Sequence, residues 1–209
     1  MWQPWSILQY NYKQPEETQA ALRRQDIVNT ETLAEISGAF KYMKGGNRLI
    51  TIRTQIEISA PIDLCFDLAR DIAIHTQTVW KHTKEIAIGG ITAGPIGYGQ
   101  TVIFQATHFH VRQTLTSKIT KYEEPFIFVD EMQKGAFKTL KHIHEFKEVE
   151  GKTLMIDTLH FEAPFGFLGK IVEKLILENY MKRFIEYRND QLKKIAEEHV
   201  KEARENTNF

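Results

Sequence analysis

The chain has 209 residues, 42% of them hydrophobic and 26% charged, enough for one sizeable core. Lys+Arg and Asp+Glu both number 27, so the basic excess that neutralises phosphates is missing and a nucleic-acid partner is not expected. The single cysteine, Cys65, excludes an intrachain disulfide and a cysteine-based zinc site, and its apolar neighbours Leu64 and Phe66 mark it as a core residue.

No run nears ~18 apolar residues, and Met1-Trp2-Gln3-Pro4-Trp5 lacks the charged start and apolar stretch of an export signal. A cytoplasmic location with no membrane span is therefore expected. Residues 1–48 form an N-terminal extension, partly helical or loosely ordered. One helix is expected from Pro15 and a second from Thr30, ended by Gly45-Gly46-Asn47.

Residues 49–200 read as one domain, followed by a polar tail at 201–209. Ile50, Ile52, Ile56 and Ile58 alternate with Thr51, Arg53, Gln55 and Glu57, the period-two pattern of a strand with one buried face. Pro61 suits a first helical turn, so a short helix is predicted through Leu64–Ala69 and another from Asp71 to Trp80. Six strands with turns between them follow: near Glu85–Ile88, Thr101–Thr107, Val111–Tyr122, Phe126–Met132, Phe137–Val149 and Thr153–Phe161. His108 and His110 straddle one of these turns and are expected in solvent. A final helix is predicted from about Phe167 to Val200. Val172, Ile176, Tyr180 and Phe184 form its apolar row, and Leu177, Met181 and Ile185 the adjacent one. Strand, two short helices, six strands and a long helix is the order of the α+β helix-grip fold. In it a curved antiparallel sheet of about seven strands wraps a C-terminal helix, and space left between them becomes a cavity.

Glu150-Gly151 reads as a two-residue hairpin turn. Counting back from it sets Val149 opposite Lys152, Phe146 opposite Met155, His144 opposite Asp157 and His142 opposite Leu159. Leu140, His142, His144, Phe146, Met155, Asp157, Leu159 and Phe161 then share the inner face. Two histidines and one aspartate fall among apolar neighbours, and a buried carboxylate needs a donor. The His144–Asp157 pair has three readings. It is a structural pin for the register, or a ligand-orienting pair in which Asp157 sets the His144 tautomer and leaves the other nitrogen towards the cavity, or a general acid–base couple. His142-x-His144 with Glu148 on the same face is similar to part of the cupin ligand set. The rest of that pattern is missing, so no metal and no cofactor is expected. His75, on the second short helix, borders the expected cavity mouth.

Several motifs resemble the SRPBCC superfamily, which includes START lipid-transfer domains, polyketide cyclases and pollen-allergen-like proteins, and in particular its bacterial cyclase/dehydrase-like branch. They are Ala60-Pro61, Ala69-Arg70-Asp71-Ile72 with His75, Phe128-Val129-Asp130-Glu131-Met132, Gly135-Ala136-Phe137-Lys138, His142-Ile143-His144-Glu145-Phe146, Thr153-Leu154-Met155-Ile156-Asp157 and Ala163-Pro164-Phe165-Gly166-Phe167-Leu168-Gly169. Ala136 departs from the proline usual in its motif. The resemblance covers roughly 49–190 and implies binding of a small hydrophobic or amphipathic molecule: a lipid, an isoprenoid or an aromatic polyketide. Phe104, Phe128, Met132, Phe146, Met155, Leu159, Phe161, Tyr180 and Phe184 would line the cavity. His75, His142, His144 and Asp157 would meet the ligand's polar end. The alternatives are a cyclase or dehydratase with His144 and Asp157 as candidate catalytic residues, and a regulatory or chaperone-like protein.

Overall fold

The computed structural model describes residues 49–163 and 170–207, without the side chains of 170–175 and 207. Strand β1 (Ile50–Ile58) leads into helices α1 (Ile62–Arg70) and α2 (Ile72–Thr78) and a short 3-10 turn (Lys81–Thr83). Strands β2 (Ile86–Gly90), β3 (Thr101–His108), β4 (Val111–Glu123), β5 (Ile127–Lys134), β6 (Thr139–Val149) and β7 (Lys152–Glu162) follow, then helix α3 (Lys170–Thr207). The predicted helices before residue 49, and the Phe167 start and Val172 side chain of the last helix, lie outside the described residues. Helix α3 runs on to Thr207, past the predicted end at Val200.

The sheet is wholly antiparallel, in the order β1-β7-β6-β5-β4-β3-β2. With α3 packed on β1 and on both short helices, the domain has the helix-grip fold. The turn between α1 and α2 is made by Asp71, whose side chain accepts the N–H groups of Ala73 at 2.8 Å and Ile74 at 3.1 Å. Those two donors would otherwise be orphans of the α2 start.

The β6–β7 register is the one counted from the turn: Val149 with Lys152, Phe146 with Met155, His144 with Asp157, His142 with Leu159. Glu150 and Gly151 take φ of 51° and 75°, the doubly positive geometry of a two-residue hairpin turn whose twist matches its strands. Register then propagates across the sheet. One inward row is Phe128, His144, Asp157 and Thr54, and its neighbour is Asp130, His142, Leu159 and Ile52.

Two apolar clusters flank these rows. Phe66 on α1 is wholly buried, with the rings of Tyr122, Phe128 and Phe146 5.4–5.6 Å from its own in edge-on contact. Around Phe184 and Ile185 of α3 gather Ile50, Ile52, Leu140, Leu159 and Phe161. Trp80 closes that side, its ring 5.2 Å from Tyr180 and 5.3 Å from Phe184.

The helix stripe differs from prediction at one end and in its content. Ile176 is 54% exposed, and the buried face instead continues from Phe184 and Ile185 through Arg188 and Asn189 to Leu192 and Ala196. Ile195 and Val200 pack on the first cluster, and residues 201–206 beyond them are exposed.

Candidate functional site

Between sheet and α3 lies a cavity of about 310 Å³. Its apolar wall includes Val102, Phe104, Ala106, Ile119, Phe128 and Leu140 from the strands and Leu177, Met181 and Phe184 from the helix. Phe109, at the β3–β4 turn, lines the cavity and is 51% exposed, so the cavity reaches the surface beside that turn.

Of the residues predicted to line the space, His75, Phe104, Phe128, His142, His144, Leu159, Tyr180 and Phe184 do so. Met132, Phe146, Met155, Asp157 and Phe161 do not border it. Phe146 and Met155 belong to the first cluster, where they pack beneath α1, and Phe161 and Met132 to the second. They share the inner face with the cavity residues, but packed side chains already fill the space over them. Asp157 is 1% exposed, behind the two histidines.

The polar wall is more elaborate than a pair. His144 Nδ1 lies 2.6 Å from Asp157 Oδ1, and His142 Nε2 lies 2.8 Å from the same oxygen. Both approaches are off the axis of a ring N–H, so neither is an aligned hydrogen bond. Asp157 Oδ2 accepts from Asn189 Nδ2 at 2.7 Å. The second nitrogen of His144, expected towards the cavity, instead meets Asp130 Oδ2 at 3.1 Å, because Asp130 lies one row over on the neighbouring strand. Asp130 Oδ1 accepts from Ser117 Oγ at 2.8 Å. His144 also stacks on Phe128, ring centres 4.2 Å apart.

Arg188 completes the group from the helix. Arg188 is 4% exposed, and among the described residues its guanidinium makes only a 3.4 Å hydrogen bond to the Ala69 carbonyl and lies 3.8 Å from Asp157 Oδ1. Burial lowers the His142 pKa, the neighbouring His144 lowers it further, and it falls to about 4 despite Asp157 and Asp130. Burial also acts to lower His144, but the two carboxylates outweigh it and raise the pKa. Of the two rings, His144 is thus the one that takes up a proton the more readily. Both carboxyls are held well below the usual carboxylate range; burial opposes this, and the histidines overcome it. With His144 protonated, two carboxylates, one imidazolium and one guanidinium balance, which removes the penalty of isolated buried charge.

A second polar group lies near the mouth. His75 Nε2 is 2.8 Å from Glu85 Oε1 and its ring stacks 4.6 Å from Phe104. His108, expected in solvent, is half-buried and lies 2.8 Å from the Tyr180 hydroxyl through Nδ1. His110, one residue beyond Phe109, is exposed.

Asp130, Ser117, Arg188, Asn189, Glu85 and His108 were not singled out from sequence as site residues. For Asp130 a signal existed: it lies two residues from Phe128, in phase with the inner face. For Arg188 and Asn189 the signal was their position between Ile185 and Leu192, in step with the buried stripe. Ser117 and Glu85 offered none.

Several solved structures share this fold. The Zhui aromatase/cyclase from Streptomyces superposes with a TM-score of 0.60 at 15% identity, over 73% of this chain and 96% of that one. A START superfamily protein from Mycobacterium smegmatis gives 0.53 at 14%, over 71% and 97%. The major latex-like protein 151 from Panax ginseng gives 0.52 at 12%, over 72% and 99%. No curated protein matches the sequence significantly. Among the described residues no helix is long and apolar enough to cross a membrane. The family model for polyketide cyclase / dehydrase and lipid transport matches residues 50–197, and the chain belongs to that family, within the SRPBCC superfamily.

Proposed function

We propose that this protein binds a compact, mainly apolar molecule with one polar end, such as an isoprenoid, a short lipid or an aromatic polyketide. The observation that carries the reading is the asymmetry of the cavity. Most of its wall is hydrocarbon and aromatic ring, and one side bears Asp130, His142, His144 and the thinly partnered guanidinium of Arg188. Burial of ligand surface at about 25 cal/mol per Å² drives entry, and the few polar groups fix orientation. A volume of about 310 Å³ is near the lower end of ligand pockets, which favours a small ring system over a long acyl chain. The test is native mass spectrometry of protein purified from its host, together with melting curves against isoprenoids, fatty acids and aromatic polyketides. A co-purifying small molecule, or a melting temperature that rises with ligand concentration, supports binding. Protein that emerges free of ligand and melts unchanged with every class overturns it.

Proton transfer is the second reading, favoured by His142. A neutral imidazole on the cavity wall can accept a proton from a carbon next to a carbonyl. His144, bracketed by two carboxylates, is less free to act than the sequence suggested. Turnover of a poly-β-ketone that disappears in His142→Ala would support this reading, and turnover unaffected by it would exclude His142 as the base.

A further inference from the structure

Three donor atoms converge on the polar wall. Asp130, His142 and His144 each offer one donor atom, and these atoms lie within 4.8 Å of one another. Asp130 Oδ2 is 3.1 Å from the His144 nitrogen and 4.0 Å from the His142 nitrogen. An ion that binds nitrogen and oxygen at about 2.0–2.2 Å holds its ligand atoms roughly 3–4 Å apart. The spacing therefore suits a shared ion with only small side-chain adjustments.

The supporting residues matter as much as the three donors. Each histidine turns its other nitrogen to one buried oxygen, Asp157 Oδ1. A carboxylate behind the outer nitrogen orients a ligating imidazole and raises its basicity. Asn189 anchors Asp157, and Ser117 anchors the second oxygen of Asp130. All three donors come from adjacent strands rather than loops, which holds their geometry closely. A plain structural ion pair would need one histidine and one aspartate. Here two histidines, their ring centres 3.9 Å apart and their planes tilted by 41°, lie between two carboxylates, one in front and one behind.

We infer that Asp130, His142 and His144 form a binding site for a divalent first-row transition ion, with the open coordination positions turned towards the cavity. Two imidazoles and one carboxylate suit zinc, iron, cobalt or manganese better than calcium or magnesium. The expectation of no metal had rested on the missing remainder of a cupin-like pattern in which Glu148 joined the two histidines. Glu148 lies exposed near the end of β6, and Asp130, across the ladder from His142, takes that place. The site stands whether or not the cavity holds an organic ligand.

The test is titration of the chelator-treated full chain with Co²⁺, following visible absorption and bound metal. The expected result is saturation at one ion per chain, competed by Zn²⁺. Uptake should disappear in His142→Ala and Asp130→Ala and weaken about 10–100-fold in Asp157→Asn. No saturable uptake by the wild type, or uptake in both alanine variants equal to that of the wild type, overturns the assignment. Since those variants can lose the fold, nuclear magnetic resonance of the wild type with one equivalent of Co²⁺ gives an independent answer. Paramagnetic shifts on β5 and β6 around Asp130 and His144 support the site, and shifts confined to exposed His110 or His199 refute it.

Discussion

His144 and Asp157 face each other across the β6–β7 ladder, with Nδ1 2.6 Å from Oδ1, and Asp157 also holds His142 and Asn189. One carboxylate therefore ties two strands to the terminal helix. Replacing it by a group that cannot accept removes the buried carboxylate that faces both histidines and the Arg188 guanidinium, and leaves Asp130 as the cluster's one remaining counter-charge. Asp157→Ala is expected to cost about 3–5 kcal/mol, read as a lowered urea midpoint. A loss below about 1 kcal/mol, within the range of a surface ion pair, would contradict the buried-cluster description.

Ala106 faces the cavity from β3 between Phe104 and His108. Ala106→Leu is expected to occupy ligand space while keeping the fold, because the added methyl groups enter a void rather than packed side chains. The melting temperature should stay within a few degrees of wild type, and any ligand-induced rise should shrink or vanish. A full ligand response in this variant would place the ligand elsewhere.

Phe66 is buried completely under three aromatic rings. Phe66→Ala should cost about 3–5 kcal/mol through lost transfer energy and the hole left behind. Equilibrium unfolding in urea measures it, and a cost under 1 kcal/mol would mean that α1 does not pack as described.

Burial pushes the Cys65 thiol up to about 11. The thiolate fraction at pH 8 is correspondingly small, and no solvent path reaches the sulfur. Ellman's reagent should react with the native protein only as slowly as it opens, and at once after unfolding in guanidinium. Rapid stoichiometric reaction of the native chain would show that the α1 interface is loose.

The Glu85 carboxyl is a pH-sensitive contributor. Burial acts to raise its pKa, but the hydrogen bond with His75 and the attraction of His75, His108 and Arg188 together outweigh burial and lower it. A carboxyl depressed in the folded state adds stability above its unfolded pKa, and that stability is lost as pH falls through the folded value. Glu85→Gln should therefore lower stability at pH 7 and lessen the fall below pH 4.5. Urea midpoints measured from pH 7 to pH 3 for both proteins check this, and parallel profiles would assign the acid sensitivity to other carboxylates.

What could be read from the chain itself was whatever follows from local periodicity and turn chemistry. The alternation around Ile50–Ile58, the Asp71 break between two short helices and the Glu150-Gly151 turn each act over a few residues. A hairpin's side-chain period then carries register outward, which is why His144 could be set opposite Asp157 by counting. The tertiary structure alone decided which inner-face residues border open space and which are packed. Phe146 and Met155 lie beneath Phe66, whereas His142 and Leu159 line the cavity, a difference set by where α1 comes to rest. It also decided the partners of the histidines. Asp130 arrives through β4–β5–β6 pairing interrupted by bulges, and Arg188 through the docking of a helix thirty-one residues further along the chain than Asp157. Such long-range meetings depend on sheet curvature and helix placement, which no window of sequence encodes.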